Sequence, residues 1–164
     1  MSYESIAQFH SKSMQFKELS NFANFSVEYE GKVYPTIEHA FQALKYTCSN
    51  KPELVDMVRE LDTPEKAKTA GSKSGMKKHG AALDIECWNS KKQQIMHDLV
   101  ESKIRRHVEI QHILKRVKRD KIRLVHFSRF DMEWGAHVEK STGEIKKGEN
   151  KLGDIYNEFV AKFK

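Results

Sequence analysis

The chain has 164 residues, enough to bury a core, and its length fits one domain over residues 1–164. It contains no run near the ~20 apolar residues of a membrane span, and "MSYESIAQFHSKSMQF" lacks the basic start and apolar block of a secretory signal. A net charge of +6 and a pI near 9.2 point to an anionic partner, nucleic acid or a phosphorylated small molecule; a solvated lysine-rich surface is the plain alternative.

In chain order, "FANFSVEYEGKVYPT" predicts a β-hairpin: Phe25, Val27 and Tyr29 alternate, Glu30-Gly31 turns, and Lys32 to Tyr34 return. A helix follows over Ile37 to Tyr46, with Thr36 as N-cap and Ile37, Ala40, Phe41 and Leu44 on one apolar stripe. "NKPELVDMVREL" reads as a second helix through Leu54, Met57, Val58 and Leu61. "DTPEKAKTAG" opens a third, capped by Thr63, with Pro64 in the first helical position and Gly71 as the stop. "SKSGMKKHGAAL" reads as a Gly-punctuated basic loop. From Trp88 a long helix carries Lys92, Ile95, Met96, Leu99 and Lys103 along one side, and a further helix holds Ile110, Ile113, Leu114 and Val117. "IRLVHFS" is a strand, "RFDMEWGAHVEKSTGEIKKGEN" a long polar loop, and a last helix from about Leu152 buries Leu152, Ile155, Tyr156, Phe159 and Phe163. The sum is an α+β fold: one mainly helical domain around a small, mostly antiparallel sheet.

Cys48 and Cys87 belong to no metal or CxxC pattern, so two reduced thiols in a cytoplasmic protein are expected. Neither a GxGxxG, a P-loop, a GxSxG nor a metal-ligand cluster is present, so no metal and no cofactor is expected. What remains is two carboxylates, two tryptophans and a basic surface concentrated in "KIRRH" and "KRVKRDKIR". Glu38 lies in a helix first turn, where an acid favours the dipole by about 0.3–1 kcal/mol and needs no other purpose. Gln42 and Lys45 nevertheless share its stripe. Asp131 and Trp134 stand beside Gly135 in the polar segment, and Trp88 precedes lysines. Indole stacking with lysine–phosphate contact is one reading, and an ordinary core under a solvated face the other.

Six ordered blocks, "LSNF", "YEGKVYPTIEHAFQALK", "TPEKAKTAG", "WNSKKQQIM", "DMEWG" and "GENKLGDI", span about residues 19 to 155 and resemble the NADAR (YbiA-like) family. The resemblance implies an N-glycosidase that hydrolyses a ribose C1′–N bond, most directly one removing ADP-ribose from guanine in DNA. Alternatives are the same chemistry on phosphorylated riboflavin-pathway intermediates, or a non-enzymatic module binding ADP-ribose or nucleic acid. It implies Glu38 as the catalytic carboxylate, with Asp131 sharing that work or binding ribose hydroxyls. Trp88 and Trp134 become walls for base or sugar, and Asn21 a donor to substrate. Lys45, Lys92 and Asn150 hold phosphate or ribose oxygens, and Phe22, Gln42 and Gly135 complete the substrate-binding set. The implied partner is ADP-ribosylated nucleic acid or a phosphorylated ribosyl molecule, with no membrane. The chain departs from the family at two points: Ser72, followed by Lys73, replaces a common arginine, and "LVHF" ends in His126 and Phe127 where a glutamate often stands.

Overall fold

The computed structural model describes residues 2–139 and 141–164. The elements begin with β1 (Ser5–Phe9), followed by the hairpin β2 (Val27–Tyr29) and β3 (Lys32–Tyr34). Five helices come next: α1 (Ile37–Lys45), α2 (Val55–Arg59), α3 (Pro64–Ala70), α4 (Lys73–Lys78) and α5 (Ile85–Arg106). The chain continues through α6 (Val108–Arg119), β4 (Ile122–His126), β5 (Ala136–Val138), β6 (Ile145–Gly148) and α7 (Lys151–Lys162). The fold is α+β and mostly helical, as the element pattern implies. The chain divides into two compact units, Met1–Ala23 with His107–Lys164, and Asn24–Arg106.

In the unit Asn24–Arg106, β2 and β3 pair antiparallel in the expected register, Val27 opposite Tyr34. The Thr36 hydroxyl accepts from His39 N, opening α1 as its sequence indicates. The stripe expected on α1 understates its burial, because every residue from Ile37 to Leu44 is buried. A helix buried all round must satisfy its polar side chains internally. His39 does so with both ring nitrogens, Nδ1 at 2.8 Å from Thr36 Oγ1 and Nε2 at 2.9 Å from Leu61 O. A carbonyl only accepts, so Nε2 donates there and the ring is a structural post.

Four expectations in this unit are corrected. The second helix is short, a 3-10 turn at Pro52–Leu54 leading into α2, and it buries Val55 and Val58. The basic loop is the helix α4, capped by Ser72 Oγ accepting from Gly75 N. Gly75 does not break it: a Cβ there would lie 2.9 Å from Ala70 O, so the glycine lets α4 approach the end of α3. The long helix begins at Ile85, where Asp84 Oδ1 accepts from Cys87 N. Cys48 and Cys87, expected as free thiols, form a disulfide across a Cα–Cα distance of 5.7 Å, within the span such a bond requires. It fastens the 3-10 turn Tyr46–Cys48 to the first turn of α5.

In the other unit the longest strand pair is parallel, β1 with β4, from Ser5 opposite Ile122 to Phe9 opposite His126. The other edge of β4 is met by side-chain amides. Asn157 Oδ1 accepts from Leu124 N and its Nδ2 donates to Leu124 O, at 2.8 and 2.9 Å. Asn150 Oδ1 accepts from His126 N at 2.8 Å. These amides take the place of a third strand and tie α7 to the sheet. The long polar segment is partly ordered by β5 and β6, antiparallel with a bulge between His137 and Val138. Lys140, inside it, lies outside the described residues. Among the described residues no helix is long and apolar enough to cross a membrane.

Candidate active site

Glu38 is the second residue of α1 and is only 7% exposed. Its Oε1 accepts from Gln42 Nε2 at 2.8 Å, one turn along the helix. Gln42 is equally buried, and its Oε1 has no partner among the described residues. A solvated helix-start acid would need no such arrangement; here a carboxylate is fixed in a poorly hydrated place by an amide donor. Lys45, another turn on, donates from Nζ to Gly71 O at 3.1 Å. Trp88, 4% exposed on α5, packs its ring 5.0 Å from that of Phe41 on α1, tilted by 59°. Lys92 follows Trp88 by one helical turn and is half-buried.

A cavity of about 570 Å³ opens beside Lys45, lined on its polar side by Ser72, Lys73 and Lys77 and on its apolar side by Met76 and Ile85. Lys73 and Lys77 stand four apart on α4 and so share a face. Ser72, at the position where an arginine is common, serves as the α4 cap, while Lys73 brings positive charge to the cavity wall. Sequence reasoning missed Lys77 because it took that segment for a loop, and it read Gly71 only as the stop of the preceding helix. The signal was available: Ser72 followed by Gly75 N–H at capping distance, then lysines at helical spacing.

In the unit containing the termini, residues 128–135 form a tight turn. Ser128 Oγ accepts from Asp131 N at 2.9 Å, and Asp131 Oδ1 accepts from Glu133 N and Trp134 N at 3.1 and 3.0 Å. Asp131 is exposed, and this oxygen holds the turn that presents Trp134. Trp134 is buried, with Lys151 Nζ 5.9 Å above its ring and Lys151 paired to Glu133 at 2.9 Å. That carboxylate raises the Lys151 pKa, chiefly through the hydrogen bond. Gly135 must be glycine for space, since a Cβ would lie 2.7 Å from Ser128 Cβ and 2.9 Å from Asp131 O. His126 sends Nδ1 to Trp134 O at 3.2 Å and stacks on Phe9. Asn21 and Phe22 are half-buried after the 3-10 turn Lys17–Leu19, and Phe22 N donates to Ser20 Oγ.

Asn150 is fully buried in a left-handed conformation, φ 53°. Besides His126 N, its amide reaches Leu124 O and Asp154 Oδ1, both at 3.2 Å. Its hydrogen bonds thus run to β4 and α7, which makes it a structural anchor. Within one unit, then, Glu38 and Gln42 form a hydrogen-bonded pair on α1, Lys45 follows on the same helix, and Trp88 packs alongside that helix. Within the other, Asp131, Trp134 and Gly135 form one turn joined to Asn150 by the bond from Asn150 N to Gly135 O.

The class is therefore an α+β protein carrying a buried, amide-held carboxylate and a lysine-lined cavity. A family model described as the NADAR domain matches residues 2–163, and the chain belongs to the NADAR family. It is 29% identical over 157 residues to the N-glycosidase YbiA of Escherichia coli (strain K12), covering 94% of this chain and 86% of that protein. It is 29% identical over 134 residues to the N-glycosidase Npun_R5314 of Nostoc punctiforme, covering 82% and 77%. The NMR structure of the E. coli protein YbiA superposes with a TM-score of 0.75 at 28% identity, covering 99% of this chain and 86% of that one.

Proposed function

We propose that the protein is an N-glycosidase that hydrolyses a ribose C1′–N bond, with ADP-ribosylated guanine in nucleic acid as its first substrate. The observation that carries this reading is the Glu38 carboxylate, buried on α1 and held by Gln42 Nε2. Membership of a family whose named relatives are N-glycosidases supports it.

The chemistry follows from that carboxylate. As the C1′–N bond breaks, its electron pair leaves with the nitrogen and positive charge grows on the sugar ring. A fixed anion in a site of low polarity stabilises that charge more than it would in water. Glu38 also takes a proton from the attacking water as the water oxygen bonds to C1′. The proton then passes to the departing nitrogen, so one water is consumed and the base leaves protonated. Water is the only co-reactant this step needs.

Lys45, with Lys73 and Lys77 from the cavity wall, would hold phosphate oxygens, and Trp88 with Lys92 would hold the base. Asp131, whose Oδ1 is committed to its turn, would reach ribose hydroxyls through Oδ2. Asn21, Phe22, Trp134 and Gly135 keep the substrate-binding roles carried over from the family.

The nucleic-acid substrate is favoured by six basic residues on α6, β4 and the turn between them: Lys115, Arg116, Lys118, Arg119, Lys121 and Arg123. A phosphorylated small ribosyl substrate is the second reading, favoured by the cavity volume of about 570 Å³, which suits a small ligand. Turnover of an ADP-ribosylated duplex and of a phosphorylated ribosylamine, each followed across salt concentration, decides between them. For the duplex, log(kcat/KM) should fall with log[salt] by about 0.9 per phosphate contacted. Turnover of the small substrate alone would reject the first reading, and cleavage of neither would reject the enzyme.

A further inference from the structure

We infer that Gln42 and Gly71 form a positioning lock for Glu38, an inference that rests on the proposed role of that carboxylate. Gln42 contributes by aiming Glu38 and does not touch substrate.

The geometry excludes the simpler assignment of Gln42 as a ligand contact. Its Nε2 is taken by Glu38 Oε1 at 2.8 Å, and its Oε1 is shielded from solvent with no partner among the described residues. Reversing the amide would set that oxygen against the carboxylate oxygen, two acceptors at bonding distance. With Glu38 ionised, as its proposed role requires, the amide is fixed in one orientation, even though its carbonyl has no partner among the described residues. A buried acceptor without a partner is unfavourable, so plain core packing would be better served by leucine.

Gly71 keeps the amide there. Its backbone, φ −87° and ψ −3°, is open to any residue. The reason for glycine is contact: a Cβ at this position would collide with Gln42 Oε1 and lie 2.8 Å from Gln42 Cβ and Cδ. The end of α3 is in turn pinned to α1 from two directions. Lys45 Nζ donates to Gly71 O at 3.1 Å, and Tyr46 OH donates to Ala70 O at 2.7 Å. These groups make a closed circuit: α1 holds the end of α3, α3 presses the Gln42 amide flat, and the amide holds Glu38. One member, Lys45, also lines the cavity, so an anion bound there would compete for the Nζ that pins Gly71.

The test uses Gln42→Met, which keeps length and apolar volume and removes the donor. The variant should unfold at the temperature of the native protein and keep KM. Its kcat should fall roughly 10- to 100-fold, the scale expected of a misplaced catalytic group. Gly71→Ala should show the same kcat-specific loss. In a Glu38→Gln background, Gln42→Met should change the residual rate less than twofold, because a residue acting only through Glu38 has nothing left to aim. Full kcat in Gln42→Met, or a loss seen in KM alone, overturns the lock while leaving Glu38 intact as the catalyst. Full kcat in Glu38→Gln overturns the catalytic reading itself, and the two failures are distinguishable.

Discussion

Replacing Asn150 by alanine separates a structural anchor from a ligand contact. The side chain is fully buried and its amide serves His126 N, Leu124 O and Asp154 Oδ1. Leu124 O keeps its bond from Asn157 Nδ2, so the loss there is small. The His126 N–H loses the Asn150 Oδ1 acceptor at a cost of about 1–3 kcal/mol, and the Nδ2 bonds add about 1 kcal/mol. The backbone at φ 53° adds about 1 kcal/mol for alanine, which tolerates the left-handed region less well than asparagine. Together these give roughly 3–5 kcal/mol, a large part of the 5–15 kcal/mol stability of an ordinary domain. Urea unfolding should show the midpoint falling with an unchanged slope. Asn150→Gly, which removes the backbone penalty and not the hydrogen-bond loss, should recover about 1 kcal/mol of that. An Asn150→Ala protein within about 0.5 kcal/mol of the native stability but with a raised KM would refute the reasoning and restore Asn150 as a substrate ligand.

Tyr156 is wholly buried, and among the described residues its hydroxyl has no partner. Tyr156→Phe should be neutral or stabilising by up to about 1 kcal/mol in the same unfolding assay. Burial pushes its ionisation far up, so stability does not depend on its titration below about pH 10 and falls as pH rises above that, where only the unfolded chain ionises; Tyr156→Phe should flatten that alkaline loss in a pH series of unfolding curves. The Cys48–Cys87 bridge closes a loop of sequence separation 39, for which chain entropy gives about 4 kcal/mol. Cys87→Ser should cost 2–4 kcal/mol in that range, and thiol titration of the unfolded, unreduced protein should find no free thiol. Asp131→Asn, which keeps the Oδ1 acceptor, should preserve the turn and the Trp134 fluorescence spectrum. Asp131→Ala should shift that spectrum by freeing Glu133 N and Trp134 N.

Local signals carried much of the fold. Thr36 and Thr63 cap the helices they announce, Pro64 takes its first-turn place, and Glu30-Gly31 makes the hairpin turn. The misreadings share a cause, which is that tertiary contact set the outcome. Gly75 looked like a breaker in a lysine-rich run, yet it is the point where α4 touches α3. The strand Ser5–Phe9 has no local partner, since it pairs with residues 122–126, and no short-range pattern records such a pairing. Two cysteines without a motif carry no spacing information about whether they meet.

The candidate site was legible in the same uneven way. Spacing placed Glu38, Gln42 and Lys45 together because a helix does so by geometry. That α1 would be buried on every side, turning a helix-start acid into a shielded one, depended on what packs around it. Asn150 stood in a recognisable block, yet its side chain serves the free edge of β4. Gly71 looked like a helix stop and is one, but the side chain of Gln42 is what excludes anything larger.

The most direct measurement is turnover by Glu38→Gln. The substituted amide can still accept from Gln42 Nε2, so the fold should survive with an unchanged thermal midpoint. Release of free base from the ribosyl N-glycoside should then fall roughly 100- to 10,000-fold, since both the charge that stabilises the cation and the proton acceptor are gone. Native-level turnover by that folded variant would contradict the account.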